Sequence, residues 1–191
     1  LVLVTVVITI SAGMLQSCSS GEDSGLKEHW NLNDGGTGTS VASANGATEG
    51  KQKWGVWLPN NTFGMSLDFS TKGSYVFAQN SKADLNKDFS IAAWVLAPPR
   101  EKYDRVILMQ GSKESPEEGS RLFLDGKNNF ELTFESTGVT GLESSGVSLI
   151  DGLWHHVMVT RSRNDFKYYV DGKMVKSLKV SGNGTAKFGD I

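Results

Sequence analysis

Residues 149–173 read LIDGLWHHVMVTRSRNDFKYYVDGK, with turn signals on both sides and in the middle. Residues 154–160 are rich in aromatic and β-branched side chains, 162–165 are polar, and 166–170 are strand-like again. Asp171-Gly172 then supplies the positive φ that a tight two-residue turn requires. The expectation is strand, turn, strand, turn, strand. Side chains alternate across a sheet, so His155, Val157 and Val159 share one face while Trp154, His156 and Met158 share the other. Neither face is wholly polar, which places the strand inside a large sheet.

Outward from this hairpin the same signals recur, and no stretch holds a helical period. Strands are expected at 27–32, 64–69, 75–79, 89–97 and 105–110, with a Gly, Ser, Thr, Ala and Asn loop over 34–50. Within 64–69, Met65, Leu67 and Phe69 fall on one face and Ser66 and Asp68 on the other. Pro98-Pro99 closes one run, because proline offers no donor to a ladder. Residues 121–124 and 129–134 flank Asp125-Gly126, a second hairpin signal. So many strands cannot share one flat sheet with a buried face. The fold class expected is all-β: two antiparallel sheets packed roughly 10 Å apart as a jelly-roll sandwich.

Several of these segments also carry a family resemblance. Asp-Gly-x-Trp-His-His-Val-x-Val-Thr at 151–160 and Tyr-Val-Asp-Gly-Lys at 169–173 resemble the central part of laminin-G-like domains of the concanavalin A-like lectin/glucanase superfamily. WNLNDGG at 30–36, GMSLDF at 64–69 and FSIAAWV at 89–95 resemble its other landmarks, in the right order. The resemblance implies a sandwich over residues 28–191 and a binding or glycoside-hydrolysing role. It also implies a rim calcium site, for which Asp34 is the candidate, since calcium takes oxygen ligands. Ser43 stands where the family often has an aspartate. The family's closing strand, Phe-x-Gly-x-Ile-Asp-x-Val, has no convincing copy before Ile191, so a cropped carboxyl end is expected.

The amino end reads as an address. Residues 1–10, LVLVTVVITI, are uncharged, and the first charged residue is Glu22. A membrane-spanning helix needs about 20 apolar residues, so a signal-peptide core fits better. Leu1 and the lack of preceding positive residues lead us to expect a cropped start. Leu15-Gln16-Ser17-Cys18 resembles the lipobox of bacterial lipoproteins, which makes Cys18 the expected lipid attachment site and the membrane a partner through that anchor. Residues 1–18 are then a lipoprotein signal peptide and 19–27 a polar tether. Glu22 and Asp23 just after the cysteine resemble surface-export signals, which suggests the bacterial outer membrane or cell surface.

Composition narrows the remainder. The 191 residues suit one domain, and a formal net charge of -2 with 21% charged residues lacks the basic footprint that nucleic-acid binding needs. Cys18 is the only cysteine, so no internal disulfide is possible. Retaining β-glucanases of the superfamily resemble Glu-x-Asp-x-x-Glu on one strand, and nothing here matches. Glu131 and Glu135 share a strand face but sit about 13 Å apart, whereas a retaining pair needs about 5 Å. His155 and His156 point to opposite faces and cannot chelate one ion without a bulge. Trp30, Trp94 and Trp154 lie in landmark strands and read as packing. Trp54 and Trp57, in the turn-rich stretch KQKWGVWLPNN, and Tyr103, in PPREKYDR, are the candidates for stacking on a sugar face. The functional expectation is a non-catalytic surface module that binds a glycan or protein partner. A glycoside hydrolase or lyase with an unrecognised site and a purely structural adhesion module are the alternatives.

Overall fold

The computed structural model describes residues 3–5, 10–11, 26–32, 38–44, 48–60, 62, 64–79, 83–99, 103–111, 119–127, 129 and 131–181. Every regular element among them is a strand: β1 (Leu3–Thr5), β2 (Ile10–Ser11), β3 (Leu26–Glu28), β4 (Ser40–Val41), β5 (Gly50–Lys53), β6 (Val56–Asn60), β7 (Gly64–Asp68), β8 (Tyr75–Ala78), β9 (Phe89–Leu96), β10 (Arg105–Gly111), β11 (Gly119–Asp125), β12 (Glu131–Ser136), β13 (Trp154–Ser162), β14 (Asp165–Val170) and β15 (Lys173–Lys179). A seven-stranded sheet runs β15-β14-β13-β9-β1-β7-β6, and three-stranded sheets run β10-β11-β12 and β4-β5-β8, with β2 and β3 paired separately. All these pairings are antiparallel.

The hairpin of residues 149–173 forms as its sequence implies. β13 pairs β14 from Val157↔Val170 to Ser162↔Asp165, and β14 turns into β15 through Asp171 and Gly172 at φ 49° and 77°. On its other side β13 pairs β9 from Trp154↔Leu96 to Arg161↔Phe89, so the strand lies in the sheet interior, as the mixed character of its faces requires.

The core sits between this sheet and β10–β12. Phe89, Ile91, Ala93 and Val95 of β9 are buried with Val157 and Val159 of β13 and Phe166 and Tyr168 of β14. They meet Leu122 and Leu124 of β11 and Leu132 and Phe134 of β12 in one cluster. The Phe134 ring lies 5.3 Å from Phe89 and 5.5 Å from Phe166, and the Tyr168 hydroxyl accepts the Phe134 backbone N–H at 3.2 Å. Each such side chain contributes roughly 1.5–3 kcal/mol by leaving water. With no disulfide available, this apolar contact across the two layers carries the stability.

Several expectations need correction. KQKWGVWLPNN is not a run of turns but two strands, β5 and β6, joined at Trp54-Gly55. β6 borders the large sheet, which is where Pro59 costs no ladder bond. β7 is an inner strand, so Ser66 and Asp68 are buried along with Leu67. Asp68 accepts the backbone N–H and the hydroxyl of Ser70 at 2.7 and 3.1 Å and closes the strand end. The loop expected over 34–50 contains β4, and Trp30 bridges Ser43. Trp30 is core, donating its Nε1–H to Thr48 O at 2.7 Å. Trp94 and Trp154 are only half-buried and lie outside the main core cluster, Trp94 set edge-on 5.2 Å from His156. β1 pairs Leu3↔Leu96 and Leu3↔Asp68 and so lies between β9 and β7.

Candidate binding face

β5 and β8 are paired Lys51↔Phe77, Gln52↔Val76 and Lys53↔Tyr75. Alternation turns Gly50, Val76 and Ala78 toward the core, where an added Cβ at Gly50 would meet Val76 Cγ1 at 2.8 Å. The other face of the same two strands therefore presents Lys51, Lys53, Tyr75 and Phe77 together. Tyr75 is 48% and Phe77 37% exposed. Trp54 follows Lys53 with φ 57°, a left-handed backbone that an L-residue adopts at a cost of roughly 1–2 kcal/mol. That residue redirects the chain from the small sheet into the large one, and Gln52 Oε1 fixes the corner by accepting the Gly55 N–H at 2.8 Å. The indole is left 59% exposed. Lys53 Nζ lies 4.4 Å from the Trp54 ring centroid and 5.9 Å from that of Tyr75. The result is three exposed aromatic rings set among lysines on a rigid sheet face.

Of the residues singled out in the sequence, Trp54 thus belongs to an exposed surface. Trp57 does not: it pairs opposite Leu67 on β6, packs against the core, and its buried Nε1 has no hydrogen-bond partner. Its reading as a stacking platform is therefore corrected to packing. Tyr103 is 72% exposed before β10, in the chain leading to a different sheet from Trp54, so the three do not form one platform. Cys18 and Asp34 lie outside the described residues. Tyr75, Phe77, Lys51 and Lys53 escaped the sequence reading, although the i, i+2 spacing of Tyr75-Val76-Phe77 and Lys51-Gln52-Lys53 already put each pair on one face.

His155 has partners that sequence spacing concealed. Its Nδ1 lies 2.8 Å from Asp171 Oδ2 and its Nε2 lies 3.1 Å from Asp151 Oδ1. Asp171 Oδ1 also accepts the His156 N–H at 2.9 Å. Burial disfavours the charged imidazole, but the hydrogen bonds to Asp171 and Asp151 and their charges outweigh it, so the His155 pKa is raised. The Asp151 pKa is lowered, first by the Leu153 N–H it accepts. For Asp171, burial opposes ionisation, yet the bonds from His155 and from the His156 N–H hold its pKa down. His156 shifts the other way: burial lowers its pKa against the Asp171 charge. The carboxylates flank opposite sides of one ring, and among the described residues no group of three or more His, Cys, Asp or Glu converges as a metal site.

Glu131 and Glu135 are held in separate structural bonds. Glu131 Oε2 accepts the Ser144 hydroxyl and the Gly146 N–H, the latter at 3.0 Å, and so ties down the 144–146 loop. Glu135 pairs with Arg121 at 2.7 Å, and Arg121 reaches Asp104 at 3.3 Å. An open groove of about 750 Å³ crosses this region, lined by Met109, Arg121, Glu135, Val139 and Leu142 among others. It offers no aromatic ring, and its guanidinium is already neutralised by two carboxylates.

No curated protein matches the chain. A family model described as the concanavalin A-like lectin/glucanases superfamily matches residues 69–190, a span that takes in the hairpin, β9 to β15 and both layers of the core. With that match over more than half its length and an all-strand, antiparallel architecture, the chain belongs to the concanavalin A-like lectin/glucanases superfamily.

Proposed function

We propose that this chain is a non-catalytic binding module that recognises a glycan through the face formed by Trp54, Tyr75 and Phe77. The superfamily includes both binding modules and glycosidases, and a fold shared by both does not choose between them. The observation that carries the reading is the exposure of three aromatic rings on one rigid face of β5, β8 and their corner. Exposed apolar area of this kind is costly to leave in water and marks interaction surfaces. Aromatic faces carry a negative quadrupole that attracts the C–H face of a pyranose ring. The backbone strain at Trp54 supports the same reading, since it holds the indole outward instead of letting it join the core. Against a hydrolytic role, Glu131 and Glu135 are each occupied in structural bonds. We further propose that the module is held at a bacterial cell surface by a lipid on Cys18.

Glycan-array binding tests this reading. The expected outcome is binding that Trp54→Ala and Tyr75→Ala each weaken at least about fivefold, the contribution of a stacked ring being ~1 kcal/mol or more, with melting temperature unchanged. Release of reducing sugar from a bound polysaccharide, abolished by Glu131→Gln or Glu135→Gln, would establish the hydrolase instead. Binding to a protein but to no glycan, still sensitive to Trp54→Ala, would keep the face and replace its ligand.

A further inference from the structure

Resting on that reading of the Trp54 face, we propose that its ligand is an anionic polysaccharide, with carboxylate or sulfate-ester groups that meet Lys51, Lys53 and Lys72. Lys51 stands directly across from Phe77 and Lys53 across from Tyr75, so each ammonium lies next to an exposed ring on the same face. Lys72 precedes Gly73, where an added Cβ would lie 3.2 Å from Trp54 Cζ3, which brings that turn against the indole. Cations and rings therefore alternate over the whole face.

Lys87, Lys176, Lys179 and Arg121 each have a carboxylate partner in the protein. Among the described residues, Lys51, Lys53 and Lys72 have none. Lys127, Lys167 and Lys173 also have no carboxylate partner among the described residues, so what sets Lys51, Lys53 and Lys72 apart is that they are unpaired and grouped beside exposed rings. Glu49, hydrogen-bonded to the Ser40 hydroxyl across from Lys51, subtracts one charge and leaves the face positive. The overall net charge of -2 makes this excess local, not a property of the whole surface. A neutral sugar would use the rings alone and leave three ammonium groups unanswered. An anionic one stacks its apolar face on the rings while its acid groups reach the lysines beside them, and the charge steers it to this face of the molecule.

Two matched pairs of probes test this on the full chain: polygalacturonate against its methyl ester, and dextran sulfate against dextran, followed by tryptophan fluorescence at low salt. The charged member of at least one pair should bind about tenfold more tightly, and raising the salt from about 0.05 to about 0.5 M should remove most of that advantage. Lys51→Gln and Lys53→Gln should each reduce affinity for the charged probe about two- to fivefold and leave the neutral probe unaffected. Equal binding within both pairs, unmoved by the lysine variants but lost in Trp54→Ala, overturns the anionic ligand and leaves the glycan face standing. A charge preference that survives both lysine substitutions places the anion elsewhere and also overturns it. If none of the four probes binds, the anionic ligand fails, while the glycan reading is decided by the array. Self-association abolished by Phe77→Lys would then assign the face, on the border strand β8, to a second copy of the chain.

Discussion

His155 ties two turns together through one ring. A neutral imidazole has one N–H and can donate to only one of its two carboxylate neighbours, whereas the protonated ring donates to both Asp151 and Asp171. Its raised pKa means a stabilising contribution that is complete below the unfolded value, about 6.5, and is lost as pH rises through the higher folded value. The lowered aspartate pKa values mean a contribution present above about 3.9 and lost as pH falls below it. The bridge therefore contributes most between about pH 4 and about pH 6.5. Both carboxylates are half-exposed, which limits the whole to about 1 kcal/mol. Urea unfolding of wild type and His155→Gln should show a gap near that size at about pH 5.5 that narrows toward about pH 9. A gap that is constant across this range would show that the ring only packs. The sequence separated His155 from His156 by strand parity, and that separation is found. It did not reveal the aspartates, because Asp171 reaches His155 only once β14 has folded back alongside β13.

At the scale of elements, the link between layers runs through Tyr168 on β14 and Phe134 on β12. β12 borders its sheet and, among the described residues, meets only the 145–148 segment along its outer edge, through the Glu131↔Ser148 bridge and the Ser145 N–H on Leu132 O, while the Tyr168 hydroxyl takes the Phe134 N–H inside the core. Burial is the main reason the phenol's pKa lies far above its ordinary value, and the group stays neutral at any pH the protein meets. Tyr168→Phe keeps the ring and strands a buried amide. The expected cost is about 1–3 kcal/mol in urea unfolding, against less than about 0.5 kcal/mol for an exposed control such as Tyr103→Phe. Equal costs would remove the bond from the account of how the layers join. Strands with clean alternation or bracketing turns, β7 to β14, were legible from sequence to within a few residues, and β15 was legible as a strand following the Asp171-Gly172 turn, without its bounds. β5 and β6 were not, because Gly55, Pro59 and Asn60 read as turn residues when the identity of the neighbouring strands is unknown.

For the whole molecule, the amino end connects architecture to the proposed address. β1 lies between β9 and β7 in the large sheet, and cleavage before Cys18 would take β1 and β2 away with the leader. Mass spectrometry of the membrane-extracted protein is expected to find a diacylated Cys18 as the first residue, and an intact segment before it would end the lipoprotein proposal. In the processed form, the amides of β9 and β7 that face β1 should exchange with solvent faster than in the unprocessed chain. Unchanged protection would mean that another segment takes the place of β1. The sequence by itself determined the all-β class, the hairpin of residues 149–173, its place inside a sheet and the divergence of its two histidines. Those properties follow from period-two alternation and turn chemistry, which act between near neighbours in the chain. Tertiary structure alone decided that Trp57 packs while Trp54 is displayed, that Asp151 and Asp171 share one imidazole, and that Lys51 and Lys53 stand across from Phe77 and Tyr75. Each of these depends on which strands become neighbours, and that is settled by burying the core between two sheets, not by any short stretch of sequence.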